Sequence, residues 1–321
     1  MYTYIALALA LLGFSLTADA GDIDVYGLDK NDATKLLNTW GKAIYQTEKM
    51  YWKQRLAHQL TPEDERAWQK TQQDFIAKIK QRFESQTVLI ESVYYPDTNN
   101  LFTTISLDKM PLYQPPTPVV QARTHPDVLD KLLAFIPKAT QFVLDHPEYT
   151  NALNCLDYHC ITPEHPYFKA DLSYFRDAVP RQQDMILEVL NHSADISRRR
   201  AAIFALGYLK HPQTIVNVLE RHLNDPSTFI RHDCLRVYGE LLAKAPEVKV
   251  DIDKILPCLF SVYEAERNKT LIVLLHLVKQ NRYKRIIAAN ASNQLWRLKD
   301  LKQPNNHDLA CQILATLGLY K

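Results

Sequence analysis

The sequence predicts an α+β unit of βααββ order followed by a longer all-α unit. Three observations predict it. Apolar residues recur near a period of 3.6 over residues 31–83, then alternate with a period of two over residues 87–107. Nothing after Asp127 reads as strand. Seven glycines in 321 residues disfavour a fold built on many tight turns. That length suits two domains, and the segments divide as a leader at 1–20, an α+β domain at 21–109, a linker at 110–126 and a helical domain at 127–321.

The leader reads MYTYIALALALLGFSLTADA. Its apolar run, Ile5 to Leu16, is too short for about 30 Å of hydrocarbon. Ala18 and Ala20 put small residues where a signal peptidase reads, so cleavage before Gly21 is expected. An uncleaved anchor is the competing reading, because the n-region has no Lys or Arg. No later segment is apolar enough for a second span. The mature chain is therefore expected in the periplasm or outside the cell.

Residues 22–29, DIDVYGLD, suit a short strand. A helix is expected from about Asn31 to His58, capped by Asn31 or Asp32, with Leu36, Leu37, Trp40, Ile44 and Met50 on one stripe. A second starts at Thr61-Pro62-Glu63-Asp64, where a hydroxyl cap precedes Pro and acids at the positive end of the helix. It continues through Trp68, Phe75, Ile79 and Phe83. Residues 87–95, TVLIESVYY, and 101–107, LFTTISL, flank the turn sequence PDTNN and form a hairpin. This order, with its opening IDVYGL, resembles the POTRA module of bacterial envelope proteins over residues 22–108; a generic α+β sandwich has the same order. The resemblance implies a protein-docking domain, often working through an exposed strand edge. Residues 110–126 carry five prolines and should run extended as the linker.

Helices are expected at about 127–144, 147–157 and 168–178, and then a repeat appears. Aligning Gly207 with Gly239 sets Arg199 on Arg231, Ala202 on Cys234, Ala205 on Val237, Leu206 on Tyr238 and Leu209 on Leu241. The apolar positions step by three and four, as on one helix face. Leu271, Leu274, Leu275 and Val278, preceded by a helix over ILPCLFSVYEA, fit the same frame. So do Ile313, Leu317 and Gly318. The pattern is similar to HEAT repeats over residues 183–320, which implies an all-α solenoid with an extended concave surface. In such an array Arg199, Arg231 and Asp225 are expected to link neighbouring turns.

Chemistry-bearing clusters are few. No G-x-S-x-G, H-E-x-x-H, phosphate loop or dinucleotide fingerprint occurs, and no cofactor is expected. Among five cysteines, Cys155 and Cys160 form the best local disulfide pair, closing a turn. Cys234, Cys258 and Cys311 read as buried thiols, and the spacings are poor for zinc. His232, Asp233 and Cys234 are adjacent on a helix and so point in different directions. A net charge of +2 is too weak a bias to indicate nucleic acid or a membrane surface as partner.

The expected function is a non-enzymatic binding or scaffold protein whose partners are proteins in the envelope or outside the cell. Arg199, Arg200, Arg231 and Arg236 are the candidate binding surface on the repeats. The alternative is an enzyme or accessory factor with its site at the interdomain groove near His159 and His165.

Overall fold

The computed structural model describes residues 22–95, 98–109, 127–146, 156–159, 161, 162 and 164–320. The leader at 1–20, the proline-rich segment at 110–126 and the Cys155–Cys160 pair lie outside the described residues. So do most of the helix expected at 147–157 and the first two residues of the PDTNN turn.

The first strand, β1, is short (Ile23–Tyr26) and ends at Gly27. Gly27 has φ +94, and a Cβ there would meet the Leu107 carbonyl oxygen at 2.1 Å, so only glycine closes this corner. Helix α1 (Lys30–Leu36) runs through a π turn (Leu37–Gly41) into α2 (Lys42–Leu56). Its cap is Asp29, whose side chain accepts from Asp32 N at 2.9 Å, rather than Asn31 or Asp32. The π turn adds a residue to the helix and rotates everything after it. Met50, expected on the buried stripe, is 63% exposed, because within α2 it lies six residues past Ile44 and off the face of Ile44, Tyr45, Glu48, Tyr51 and Trp52, which are buried. Helix α3 (Pro62–Phe83) begins with the capping box of Thr61 and Asp64.

The hairpin pairs β2 (Thr87–Tyr95) antiparallel with β3 (Asn100–Asp108), and β1 pairs parallel with β3. The strand order is β1-β3-β2, which leaves β2 at an edge. One sheet face carries Ile23, Val88, Ile90, Ile105 and Leu107, and packs on Leu36, Ile44, Tyr45 and Ile79.

The rest of the described chain is helical: α4 (Val128–Asp145), α5 (Lys169–Arg181), α6 (Gln183–His192), α7 (Ile196–Ala205), α8 (Pro212–His222), α9 (Thr228–Lys244), α10 (Ile252–Ile255), α11 (Glu264–Leu277), α12 (Asn281–Lys299) and α13 (Pro304–Leu317). Helix α7 packs on α4, α6 and α9; α9 packs on α8 and α11; and α11 packs on α13. A single apolar core runs from Val128 to Leu314. The aligned residues Ala202, Cys234, Ala205, Val237, Leu206, Tyr238, Leu209 and Leu241 all lie in it. The helix expected over ILPCLFSVYEA is instead the end of α10 at Ile255, a 3-10 turn (Leu256–Phe260) that contains Pro257, a break at 261–263 and the start of α11 at Glu264. Among the described residues no helix is long and apolar enough to cross a membrane.

Candidate binding cleft

Side chains alternate across a strand, so the second sheet face presents Asp24, Tyr26, Glu91, Val93, Tyr95, Phe102, Thr104 and Ser106. The helical region meets this face through polar contacts. Asp24 Oδ2 accepts from the backbone N–H groups of Lys302 (2.6 Å) and Gln303 (3.0 Å) at the start of α13. The Tyr95 hydroxyl accepts from Gln303 Nε2 (3.0 Å) and Asn305 N (3.2 Å). Glu91 Oε2 accepts from Glu264 N at 3.0 Å, on the first turn of α11. Tyr26 accepts from Gln294 Nε2 at 2.8 Å and offers its ring face to the Arg267 guanidinium, 3.9 Å from the ring centre.

Beside this contact lies a cleft of about 490 Å³. One wall is α2 and α3, with Glu48, Tyr51, Trp52, Trp68 and Gln72. The opposite wall comes from α7, α9 and α11, including Arg200, Phe229, His232, Glu264 and Lys269. Residues Ile90 to Tyr94 of β2 lie between the walls. The first wall belongs to helices on one face of the sheet and the second to helices on the other. The cleft therefore wraps around the edge of β2 that pairs with no other strand among the described residues.

Its first wall is aromatic over a buried carboxylate. Tyr51 and Trp68 stack with ring centres 4.1 Å apart, and Trp52 stacks on Tyr94 at 6.1 Å. Glu48, buried beneath them, accepts from Trp68 Nε1, Gln72 Nε2 and Ser92 Oγ, each at 2.9 Å. Burial pushes its carboxyl above the ordinary range even so.

The second wall is charged. Glu91 keeps some exposed surface, yet protein crowds its carboxyl, and burial first, then the neighbouring Glu264, pushes its pKa up to about 7. Glu264 is raised by burial as well. The His232 ring nitrogen Nδ1 lies 3.0 Å from Asp233 Oδ1, so these neighbours do touch, although Cys234 points into the core. Burial lowers the His232 pKa. Burial alone would raise Asp233, but His232 and Arg200 outweigh it and hold the carboxyl low. Lys269 has neither a hydrogen bond nor an ion pair among the described residues, and burial, then Arg236, lowers its pKa.

The candidate arginines are spread out. Arg199 pairs with Asp225 and donates to the Leu190 carbonyl at 2.8 Å, and Arg231 grips Glu266 at 2.7 and 2.8 Å. Arg231 also lines a second, open pocket of about 410 Å³ at the helix turns. Arg200 lines the cleft, bound to Asp233. Arg236 lies 3.6 Å from Glu240 and is not among the cleft residues. The histidines are not at the interdomain groove either. His159 is buried against Phe204 and Gly207, with Nδ1 2.8 Å from Glu240. A Cβ on Gly207 would meet His159 Cβ at 2.5 Å, so glycine admits that close approach. His165 packs on Phe142. Cys234 and Cys258 are buried and Cys311 is half-buried, all as free thiols. No group of three or more metal-ligating side chains occurs among the described residues.

Glu91, Glu264, Arg267 and Lys269 escaped the sequence reading. Two signals pointed to them: a lone acid inside the apolar run TVLIESVYY, and the dense charge of EAERNK at a helix start. No family model matches the chain, and neither curated proteins nor solved structures give a match.

Proposed function

We propose that this chain is a non-enzymatic binding protein that receives an extended segment of a partner protein along the free edge of β2. The observation that carries this reading is the cleft wrapped around that edge. An edge strand offers backbone N–H and C=O groups for strand addition, and neighbouring pockets select side chains. Here the pocket is formed by stacked aromatics on one wall and ionic groups on the other. The βααββ region is read as a POTRA-like docking module and residues 183–320 as a short HEAT-like solenoid that braces it. Support for the solenoid comes from the buried aligned positions and from a recurring arginine. Arg231 Nη1 donates to the carbonyls of Asp225 and Pro226, and Arg267 Nη1 donates to those of Ser261 and Val262. The leader implies a setting in the cell envelope or outside the cell.

Photo-crosslinking tests the reading. Phe229 lines the cleft and is 47% exposed, so replacing it with benzoylphenylalanine places a probe at the mouth. In intact source cells this probe should yield one discrete protein adduct. The same probe at exposed Leu319, outside the cleft lining, should not. No adduct from position 229, or the same adducts from both, contradicts the proposal.

A further inference from the structure

We propose that the segment received along β2 carries an acidic side chain that pairs with Lys269. This rests on the strand-addition reading and names the partner's chemistry. Two basic side chains besides His232 line the cleft, Arg200 and Lys269. Arg200 is held by Asp233. The carboxylates around them are also engaged: Glu266 by Arg231, Glu240 by Arg236 and His159, and Glu264 by Asn306 Nδ2 at 3.3 Å. Lys269 alone has no partner of this kind among the described residues.

An ammonium taken out of water without an anion is unfavourable, and a carboxylate beside it removes the penalty. The depressed pKa of Lys269 reports that penalty. Arg236 adds a like charge, while Glu264, Glu240 and Asp233 offset it in part without an ion pair to Lys269 among the described residues. Ile90 to Tyr94 line the same cleft as Lys269, so a strand laid on β2 can place alternate side chains against α11. A basic side chain there would meet Lys269 directly, and a neutral one would leave it unpaired. The aromatic wall across the cleft accommodates apolar neighbours on the segment.

The test uses the full chain and a displayed library of nine-residue extended peptides, randomised at the centre. Selection should enrich Asp or Glu at one central position. The selected peptide should slow amide exchange of β2. Lys269→Met should weaken its binding roughly tenfold or more, and Lys269→Arg should retain it. A Gln twin of the peptide should bind the native chain and the Met variant alike. Lys269→Glu should turn selection toward Lys or Arg. Peptides that protect β2 without acid enrichment, or that bind the Met variant undiminished, overturn the pairing with Lys269 and leave strand addition standing. Failure of any selected peptide to protect β2 overturns strand addition and this inference with it.

Discussion

The two faces of the sheet make opposite use of the same strands. One buries Ile23, Val88, Ile90, Ile105 and Leu107 against helices, a dry contact driven by the removal of apolar surface from water. The other meets the helical region through Asp24, Tyr26, Glu91 and Tyr95, each satisfied by a named donor or acceptor. Apolar burial is non-directional and favours closure wherever it can occur. Hydrogen bonds to helix-start N–H groups fix an angle and a register instead, because an unpaired polar group in such a place is costly. The polar face therefore docks the two regions in one orientation and leaves a cleft at the β2 edge.

Adjacent residues of β3 test this contrast most strongly. Ile105→Ala, on the dry face, should cost about 2–5 kcal/mol in denaturant unfolding. Ser106→Ala, on the polar face, should cost under about 1 kcal/mol, because the buried Ser106 hydroxyl has no hydrogen-bond partner to lose among the described residues. Similar losses at both would erase the distinction. Glu48→Ala leaves Trp68, Gln72 and Ser92 without their acceptor and should cost about 1–3 kcal/mol. Tyr95→Phe removes the hydroxyl that accepts from Gln303 and Asn305 and should cost about 1 kcal/mol, measured the same way.

The smallest effect is one of pH. Glu91 has a pKa of about 7 when folded against an ordinary 4.5. Between those values the folded chain holds more protons than the unfolded chain, so stability falls as pH rises and levels off above about 8. Asp24 and Glu264 shift in the same direction. Burial lowers the pKa values of His222, His232 and His276, which give the opposite slope below about pH 6.5, so the Glu91 contribution is read as a difference: from pH 5 to 8 the native chain should lose melting temperature relative to Glu91→Gln. A slope unchanged by the variant would contradict the placement of Glu91.

The helices and the hairpin were legible because their signals are local. Thr61 and Asp64 announce a helix start, and the spacing from Arg199 to Leu209, repeated from Arg231 to Leu241, marks buried faces that the structure places in one core. Met50 was misread because six residues past Ile44 is not a helical repeat, and the buried face of α2 runs through Ile44, Glu48, Tyr51 and Trp52 instead. The alternative site near His159 and His165 was expected at the groove, but the path of the chain takes His159 to Glu240 instead. The cleft was the least legible feature. An acid such as Asp24 or Glu91 in a strand reads as solvent-facing, and only docking of a region far along the chain turns it into an interface.

Amide hydrogen exchange of the unbound protein bears most directly on the open edge of β2. Within Thr87–Tyr95, amides that do not bond to β3 should exchange orders of magnitude faster than those that do, and faster than the amides of β3. Uniform slow exchange along β2, matching β3, would mean that the edge is already covered and would contradict a cleft awaiting a strand.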